Sequence, residues 1–139
     1  MSKLNYNPLL NTDSYKLSHW PQYPTGMTSM MSYLESRGGE FDECTLFGTQ
    51  VLINEYLSRP FKFTDIVEAR MFAEAHGEPF NDQGFFKMFD KYNGFFPVRI
   101  RAIPEGTVIP TGNVLMTVES TDPEFAWVVN YLETMLARL

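Results

Sequence analysis

Cysteine and histidine are scarce in this sequence, which has one cysteine, Cys44, and two histidines among 139 residues. A single cysteine cannot form an internal disulfide, and so few cysteine and histidine side chains nearly exclude a zinc site built from them. The N-terminus has no charged segment leading into an apolar stretch, and no apolar run reaches the roughly 18 residues of a membrane helix. These absences predict a cytoplasmic protein without a membrane partner.

Basic residues are also few: 11 Lys and Arg stand against 17 Asp and Glu, for a formal net charge of -6. The basic residues form no run, which argues against a nucleic-acid partner because phosphate backbones need clustered cations. Glycine-rich phosphate loops, the HExxH zinc motif and the GxSxG nucleophile motif are missing too. Any ligand site must therefore be recognised from other residues.

Apolar and aromatic residues are abundant, with 44% hydrophobic residues including 12 Phe, 7 Tyr and 2 Trp. This composition can build one sizeable core. No linker-like stretch, low-complexity tract or internal repeat divides the chain. We therefore predict one domain over residues 1–139, of the α+β class.

Hydrophobic periodicity and capping residues predict several helices. Three of them run from about Leu46 to Ser58, from a Thr64 N-cap to Gly77, and from an Asn81 N-cap to Gly94. A last helix has Asp122 as N-cap and an apolar stripe that continues to Leu139. Because no stop signal follows, we expect the chain to end inside an element that ought to continue.

Alternating patterns predict strands at Thr28–Arg37, Val98–Ile103 and Val114–Glu119. Two Pro- and Gly-containing turns, Pro104–Gly106 and Pro110–Gly112, separate the last two strands. This spacing predicts a small antiparallel sheet in the form of a β-meander.

The richest polar cluster lies between Thr12 and Trp20. Thr12 or Asp13 can cap a short helix on which Tyr15 and His19 share a face, beside the positive N-terminal end. Such a face could meet an anionic, aromatic ligand. The alternative is a capped surface helix whose Tyr and Trp pack on the body of the protein.

Arg37 follows the first predicted strand and precedes two glycines. A guanidinium there could reach a phosphate while the flexible backbone gives way around it. The alternative is a surface ion pair with Glu35, which shares its strand face.

Several short motifs, in this order, closely resemble the opening of the nicotinamide phosphoribosyltransferase family. They are Asp13-Ser14-Tyr15-Lys16 with His19, Ser32-Tyr33-Leu34-Glu35-Ser36-Arg37, Pro104-Glu105-Gly106, Gly112-Asn113-Val114-Leu115, Thr121-Asp122-Pro123-Glu124 and Tyr131-Leu132-Glu133-Thr134. The resemblance covers nearly the whole chain.

The resemblance implies the N-terminal portion of a type II phosphoribosyltransferase whose α/β barrel is missing. Such a glycosyltransferase joins nicotinamide to phosphoribosyl pyrophosphate in NAD salvage, as a homodimer. Mg²⁺ would be held mainly through pyrophosphate and the missing barrel, so the fragment alone is expected to be inactive. The alternatives are a nicotinate phosphoribosyltransferase segment and a non-catalytic, free-standing interaction module.

The resemblance also assigns roles to individual residues. Tyr15 would stack on the nicotinamide ring across the dimer interface, Asp13 would line the same pocket, and Arg37 would contact phosphate. Lys16 and His19 are supporting candidates. No residue of the chain is expected to act as a nucleophile or as a metal ligand.

Overall fold

The computed structural model of the protein describes residues 7–138. Its α helices are α1 (Thr49–Leu52), α2 (Phe63–His76), α3 (Asp82–Tyr92) and α4 (Val128–Leu136), and its strands are β1 (Met31–Glu35), β2 (Glu43–Thr45), β3 (Val98–Ala102), β4 (Val108–Pro110) and β5 (Val114–Ser120). Short 3-10 helices occupy Pro8–Leu10, Ser14–Ser18, Trp20–Gln22 and Pro123–Phe125, and a π-helical turn, Ile53–Leu57, continues α1. Helices and antiparallel strands together make the predicted α+β fold.

The main sheet has three antiparallel strands in the order β1-β5-β3. Val118 on β5 lies opposite both Ser32 on β1 and Ile100 on β3. Side chains alternate between the two faces of a strand, so these three residues share one face. That face also carries the buried Met116 and packs against α4.

The strands predicted on either side of the two turns do pair, because β3 and β5 are antiparallel neighbours in the main sheet, with Ile100 opposite Val118. The segment between the turns, for which no strand was predicted, is β4, and it does not join that sheet. It pairs instead with β2, with Cys44 opposite Ile109, in a separate two-stranded sheet. Two backbone hydrogen bonds hold it there, from Gly106 N to Leu46 O and from Thr111 N to Asp42 O, each 2.9 Å long. The backbone N–H groups of the two turns thus bond to a segment that is distant in the sequence. Local turn patterns do not reveal such a partner.

Helix ends agree with the sequence in part. The Asn81 side chain accepts a hydrogen bond from Gly84 N and caps α3, as predicted, and α2 ends before Gly77. At its start, α2 has Lys62 rather than Thr64 as N-cap, because the Asp65 carboxylate accepts the Lys62 backbone N–H at 2.7 Å. The predicted helix from Leu46 begins only at Thr49, since the Leu46 carbonyl bonds to the β4 turn.

The last helix is shorter than its apolar stripe suggests. Asp122 caps the 3-10 turn before α4, as predicted, with Glu124 N donating to its carboxylate at 2.9 Å. The helix α4 itself ends at Leu136, where Ala137 N closes the final turn by bonding to Glu133 O. Leu139, to which the stripe was expected to run, lies outside the described residues.

One cluster of buried residues joins α2, α3, α4 and the inner sheet face. Its largest fully buried side chains include Phe61, Phe85 and Phe125. Close to it, Gly94 is required by space as well as by its φ of 82°, because an added Cβ would lie 2.2 Å from the Phe61 carbonyl. Many of the aromatic residues in the sequence belong to this core or pack against it.

A buried carboxylate, Asp122, fixes the chain where it enters α4. Its carboxylate accepts hydrogen bonds from Lys91 Nζ and from the Tyr92 hydroxyl, both at 2.6 Å, in addition to Glu124 N. The contact with Lys91 is the largest of the effects that lower the pKa of Asp122 from 3.8 to about 2. Folding therefore favours the ionised form.

Replacing Asp122 by asparagine is expected to lower the free energy of unfolding by about 1–2 kcal/mol near neutral pH, because charge-assisted hydrogen bonds are lost. Since the folded pKa lies below the unfolded one, this contribution is present above about pH 4 and fades as the pH falls toward about 2. Urea denaturation across that range should show wild type and Asp122→Asn converging. Asp90→Asn, on the exposed side of α3, serves as control, and a difference that stays constant down to about pH 2 would contradict the prediction.

Candidate functional site

The Asp13 carboxylate is the centre of the polar cluster that the sequence singled out. Asp13 precedes the 3-10 helix Ser14–Ser18, but its side chain does not cap that helix. Instead its Oδ2 atom accepts the Thr134 hydroxyl at 2.6 Å and the Tyr15 hydroxyl at 3.2 Å. Lys16 Nζ lies 3.6 Å from the same oxygen. The Oδ2 atom of Asp13 is thus close to polar groups of three residues, Thr134, Tyr15 and Lys16.

Tyr15 presents its ring to the surface while its hydroxyl is held. The residue is 54% exposed, and its ring lies 5.3 Å from the His19 ring, centroid to centroid, at an interplanar angle of 51°. The prediction that Tyr15 and His19 share a face is confirmed, although the helix is 3-10 rather than α. The alternative hypothesis required Tyr15 to pack on the body of the protein. The exposure of its ring does not agree with that hypothesis.

Lys16 is a buried cation, only 5% exposed. Its ammonium group pairs with Glu133 at 3.2 Å as well as with Asp13. A buried charge needs such partners, since leaving it unpaired would be costly. Lys16 therefore connects the 3-10 helix to α4 through Glu133, and its side chain does not face solvent as Tyr15 does.

Three polar residues of α4, which we call the polar face of α4, organise this region: Asn130, Glu133 and Thr134. Their spacing of three and four residues places them on one side of the helix. Asn130 accepts the Ser32 hydroxyl of β1 at 2.9 Å and donates to the Tyr23 hydroxyl at 3.1 Å. Glu133 and Thr134 hold Lys16 and Asp13, so one helix face ties the N-terminal segment to the sheet.

A groove with a volume of about 380 Å³ runs beside this face, between β1 and the end of α4. Its lining includes Tyr33, Glu35, Arg37 and Glu133. This volume lies at the lower end of the range of ligand pockets. Because Glu133 also pairs with Lys16, the groove adjoins the Asp13 cluster.

Arg37 lies exposed at this groove, and no ion pair joins it to Glu35 or to any other residue in the range 7–138. The ion-pair alternative is therefore not realised there. An uncommitted guanidinium beside a groove can receive an anion through paired hydrogen bonds.

The electrostatics of the cluster favour an ionised Asp13 and a protonated Tyr15. The hydrogen bond from Thr134 is the largest effect lowering the pKa of Asp13, with further lowering by Tyr15 and Lys16. Desolvation, and then the negative charge of Asp13, raise the pKa of the Tyr15 hydroxyl. The Tyr15 O–H therefore remains a donor to the carboxylate near neutral pH.

The sequence predicted five site residues. Four of them lie together, namely Asp13, Tyr15, Lys16 and His19, and Arg37 lies at the groove. Their functional roles stay predictions. Sequence reasoning missed the site contribution of Glu133 and Thr134. The signal was available, because polar residues at helical spacing interrupt the apolar pattern of α4, but nothing in the sequence says what they face.

Within the part of the chain that the structure describes, no group of three or more His, Cys, Asp or Glu side chains is placed to hold a metal ion. No helix between residues 7 and 138 combines the length and apolar character that crossing a membrane requires.

The fold of residues 7–138 is that of a phosphoribosyltransferase segment. It is similar to that of human nicotinic acid phosphoribosyltransferase, with a TM-score of 0.60 over 90% of this chain and 24% of that one. At 23% identity this likeness concerns the fold alone. The model of the nicotinamide phosphoribosyltransferase N-terminal domain matches residues 7–100, and the chain belongs to this family.

Curated relatives agree with this assignment. The nicotinamide phosphoribosyltransferase of Xanthomonas campestris pv. campestris is 53% identical over 133 residues, which cover 96% of this chain and 28% of the relative. That of Acinetobacter baylyi is 28% identical, over 94% of this chain and 29% of the relative. The chain thus spans less than a third of the length of these relatives.

Proposed function

We propose that this chain forms the N-terminal segment of a cytoplasmic enzyme that transfers phosphoribosyl from phosphoribosyl pyrophosphate to nicotinamide. The products are nicotinamide mononucleotide and pyrophosphate, and the pathway is NAD salvage. Family membership supports the proposal. The observation that carries it is a held, half-exposed Tyr15 ring in the Asp13 cluster, together with an unpaired Arg37 at the groove that Glu133 shares with that cluster.

Tyr15 binds the flat nicotinamide ring in this proposal. Its ring is accessible, and the bond from its hydroxyl to Asp13 restricts rotation before the ligand arrives. Stacking of aromatic rings adds to the gain from buried area, and a fixed ring loses less entropy on binding. Asp13 lines the same pocket and keeps Tyr15 in place, while His19 supports the ring from the side.

Arg37 binds a phosphate group of the substrate or the product. The described residues leave its guanidinium without a carboxylate partner, so an incoming phosphate need not displace one. Arginine matches phosphate oxygens with two parallel N–H groups and stays charged at any working pH. In a chain of net charge -6, such a local cation also gives an anionic substrate a defined place to dock.

The reaction needs positioning more than covalent chemistry from this segment. As the bond from ribose to pyrophosphate breaks, positive charge develops on the sugar, and the ring nitrogen of nicotinamide attacks that carbon. Holding both reactants in line lowers the barrier, and cations near the departing pyrophosphate lower it further. Mg²⁺ would stabilise that leaving group and would be held by the substrate and by residues beyond this chain.

The Tyr15 ring and Arg37 lie at the surface, where another polypeptide region can complete a site with them. We propose that this region is the barrel of a partner subunit in a homodimer. Residues 1–139 alone would then bind neither substrate tightly and would not catalyse the transfer.

The test uses a full-length enzyme that carries residues 1–139 followed by its own continuation, where the gene encodes one, or by the remaining part of the Xanthomonas campestris relative. Given nicotinamide, phosphoribosyl pyrophosphate and Mg²⁺, it is expected to form nicotinamide mononucleotide, measured by chromatography. Residues 1–139 alone should form none. A folded, dimeric full-length enzyme without product would contradict the proposal.

The second candidate is a nicotinate enzyme, the activity for which the human protein that shares this fold is named. The two pyridines differ only in the amide or carboxylate group. Comparing kcat/KM for nicotinamide and nicotinate in the same assay separates the candidates. Preference for nicotinate would replace the first proposal by the second.

A further inference from the structure

The Thr134 hydroxyl and Asp13 form a reciprocal pair between residues 121 positions apart in the sequence. The hydroxyl donates to Asp13 Oδ2 at 2.6 Å and accepts from the Asp13 backbone N–H at 3.2 Å. A hydroxyl that both donates and accepts fixes the carboxylate and the backbone of the same residue. The helix α4 therefore helps to set the orientation of Asp13, in addition to the contacts from Tyr15 and Lys16.

The same carboxylate oxygen accepts the Tyr15 hydroxyl at 3.2 Å. A single path of hydrogen bonds thus runs from Thr134 through Asp13 to the ring that presents itself at the surface. Within the described residues, Asp13 Oδ1 makes no hydrogen bond of its own. Rotation of the carboxylate is restrained mainly through Oδ2, and loss of the Thr134 hydroxyl would remove the shortest of the three contacts to that oxygen.

The helix α4 is a rigid support for this path. Its apolar side is buried in the core, with Val128, Val129, Leu132 and Met135 each at most 1% exposed. The 3-10 helix Ser14–Ser18 is only five residues long and gains little order from its own hydrogen bonds. Positional precision at Tyr15 therefore comes from α4.

We infer that Thr134 is a positioning residue of the nicotinamide subsite, holding Asp13 and, through it, the Tyr15 ring in the orientation that binds the pyridine. The inference rests on the proposed function. Thr134 itself need not touch substrate. Nicotinamide binds more tightly to an aromatic ring that is already oriented, because less entropy is lost on binding. We therefore expect Thr134 to affect nicotinamide binding and to leave the phosphoribosyl pyrophosphate site unaffected.

The chain offers a matched control for this role. The Thr12 hydroxyl also joins the N-terminal segment to α4, donating to the Tyr131 carbonyl at 2.9 Å rather than to the Asp13 carboxylate. Thr12→Val removes a comparable contact between the same two segments. A merely structural role for Thr134 predicts that the two valine variants behave alike.

The test compares Thr134→Val, Thr134→Ser and Thr12→Val in the full-length enzyme. Thr134→Val is expected to raise KM for nicotinamide roughly three- to tenfold, with kcat and KM for phosphoribosyl pyrophosphate close to wild type. Thr134→Ser, which keeps the hydroxyl, should restore the wild-type KM. Thr12→Val should lower the melting temperature without changing KM. If Thr134→Val does not fold, Thr134→Ala removes the hydroxyl without a new branched methyl group.

Two results would overturn the inference while the proposed function stands. One is an unchanged nicotinamide KM in Thr134→Val when Tyr15→Ala raises it. The other is an equal rise in Thr134→Val and Thr12→Val, which would reduce both to structural contacts. A wild-type enzyme that makes no nicotinamide mononucleotide would instead overturn the proposed function, so the two failures are distinguishable.

Discussion

Replacing Tyr15 by alanine in the full-length enzyme is expected to raise KM for nicotinamide roughly 30-fold, equivalent to a loss of about 2 kcal/mol. The ring is 54% exposed and makes no large contribution to the core, so the melting temperature should change little. Removing the ring takes away the stacking partner of the pyridine. Steady-state kinetics with each substrate varied in turn, beside thermal unfolding, measure both quantities.

Two companion variants sharpen this result. Tyr15→Phe keeps the ring but loses the bond to Asp13, and it should lie between wild type and Tyr15→Ala. Arg37→Ala should raise KM for phosphoribosyl pyrophosphate and leave KM for nicotinamide nearly unchanged, because Arg37 is assigned to phosphate. Unchanged kinetics in Tyr15→Ala would remove Tyr15 from the site.

Phe85→Ala is expected to lower the free energy of unfolding by about 3–5 kcal/mol, the largest effect on stability that we predict. Phe85 is fully buried, and its ring makes edge-to-face contacts with Phe61, Trp127 and Tyr131 at centroid distances of 5.9, 5.0 and 5.1 Å. Truncation leaves a cavity between α3 and α4 in addition to the lost burial. Since domains are stable by only about 5–15 kcal/mol, the variant should be close to unfolding.

Urea denaturation followed by tryptophan fluorescence measures this loss, with Phe47→Ala as the matched control. Phe47 is 72% exposed, so the same chemical change there should alter stability by no more than about 0.5 kcal/mol. A cost for Phe85→Ala as small as that of Phe47→Ala would contradict the packing described for this core.

The sequence predicted contacts between residues close together in the chain better than contacts between distant ones. Asp13, Tyr15 and His19 were placed together because residues within four positions on a short helix are neighbours whatever surrounds them. The antiparallel pairing of β3 with β5 was predicted, but the strand β4 between them was not, because its partner β2 and the carbonyls of Leu46 and Asp42 lie far away in the sequence. Lys16 was only a supporting candidate in the sequence, and the structure shows that it is buried and paired with Glu133.

By itself, the sequence determined the α+β class, the Asn81 and Asp122 caps and the ordered motifs that place the chain in its family. Each of these depends on residues close together in the chain, or on composition. Only the tertiary structure decided that Thr134 holds Asp13 across 121 positions of sequence and that Arg37 stays unpaired beside a groove. The reason is physical: caps and periodicity express local geometry, whereas contacts between distant residues depend on how the whole core packs.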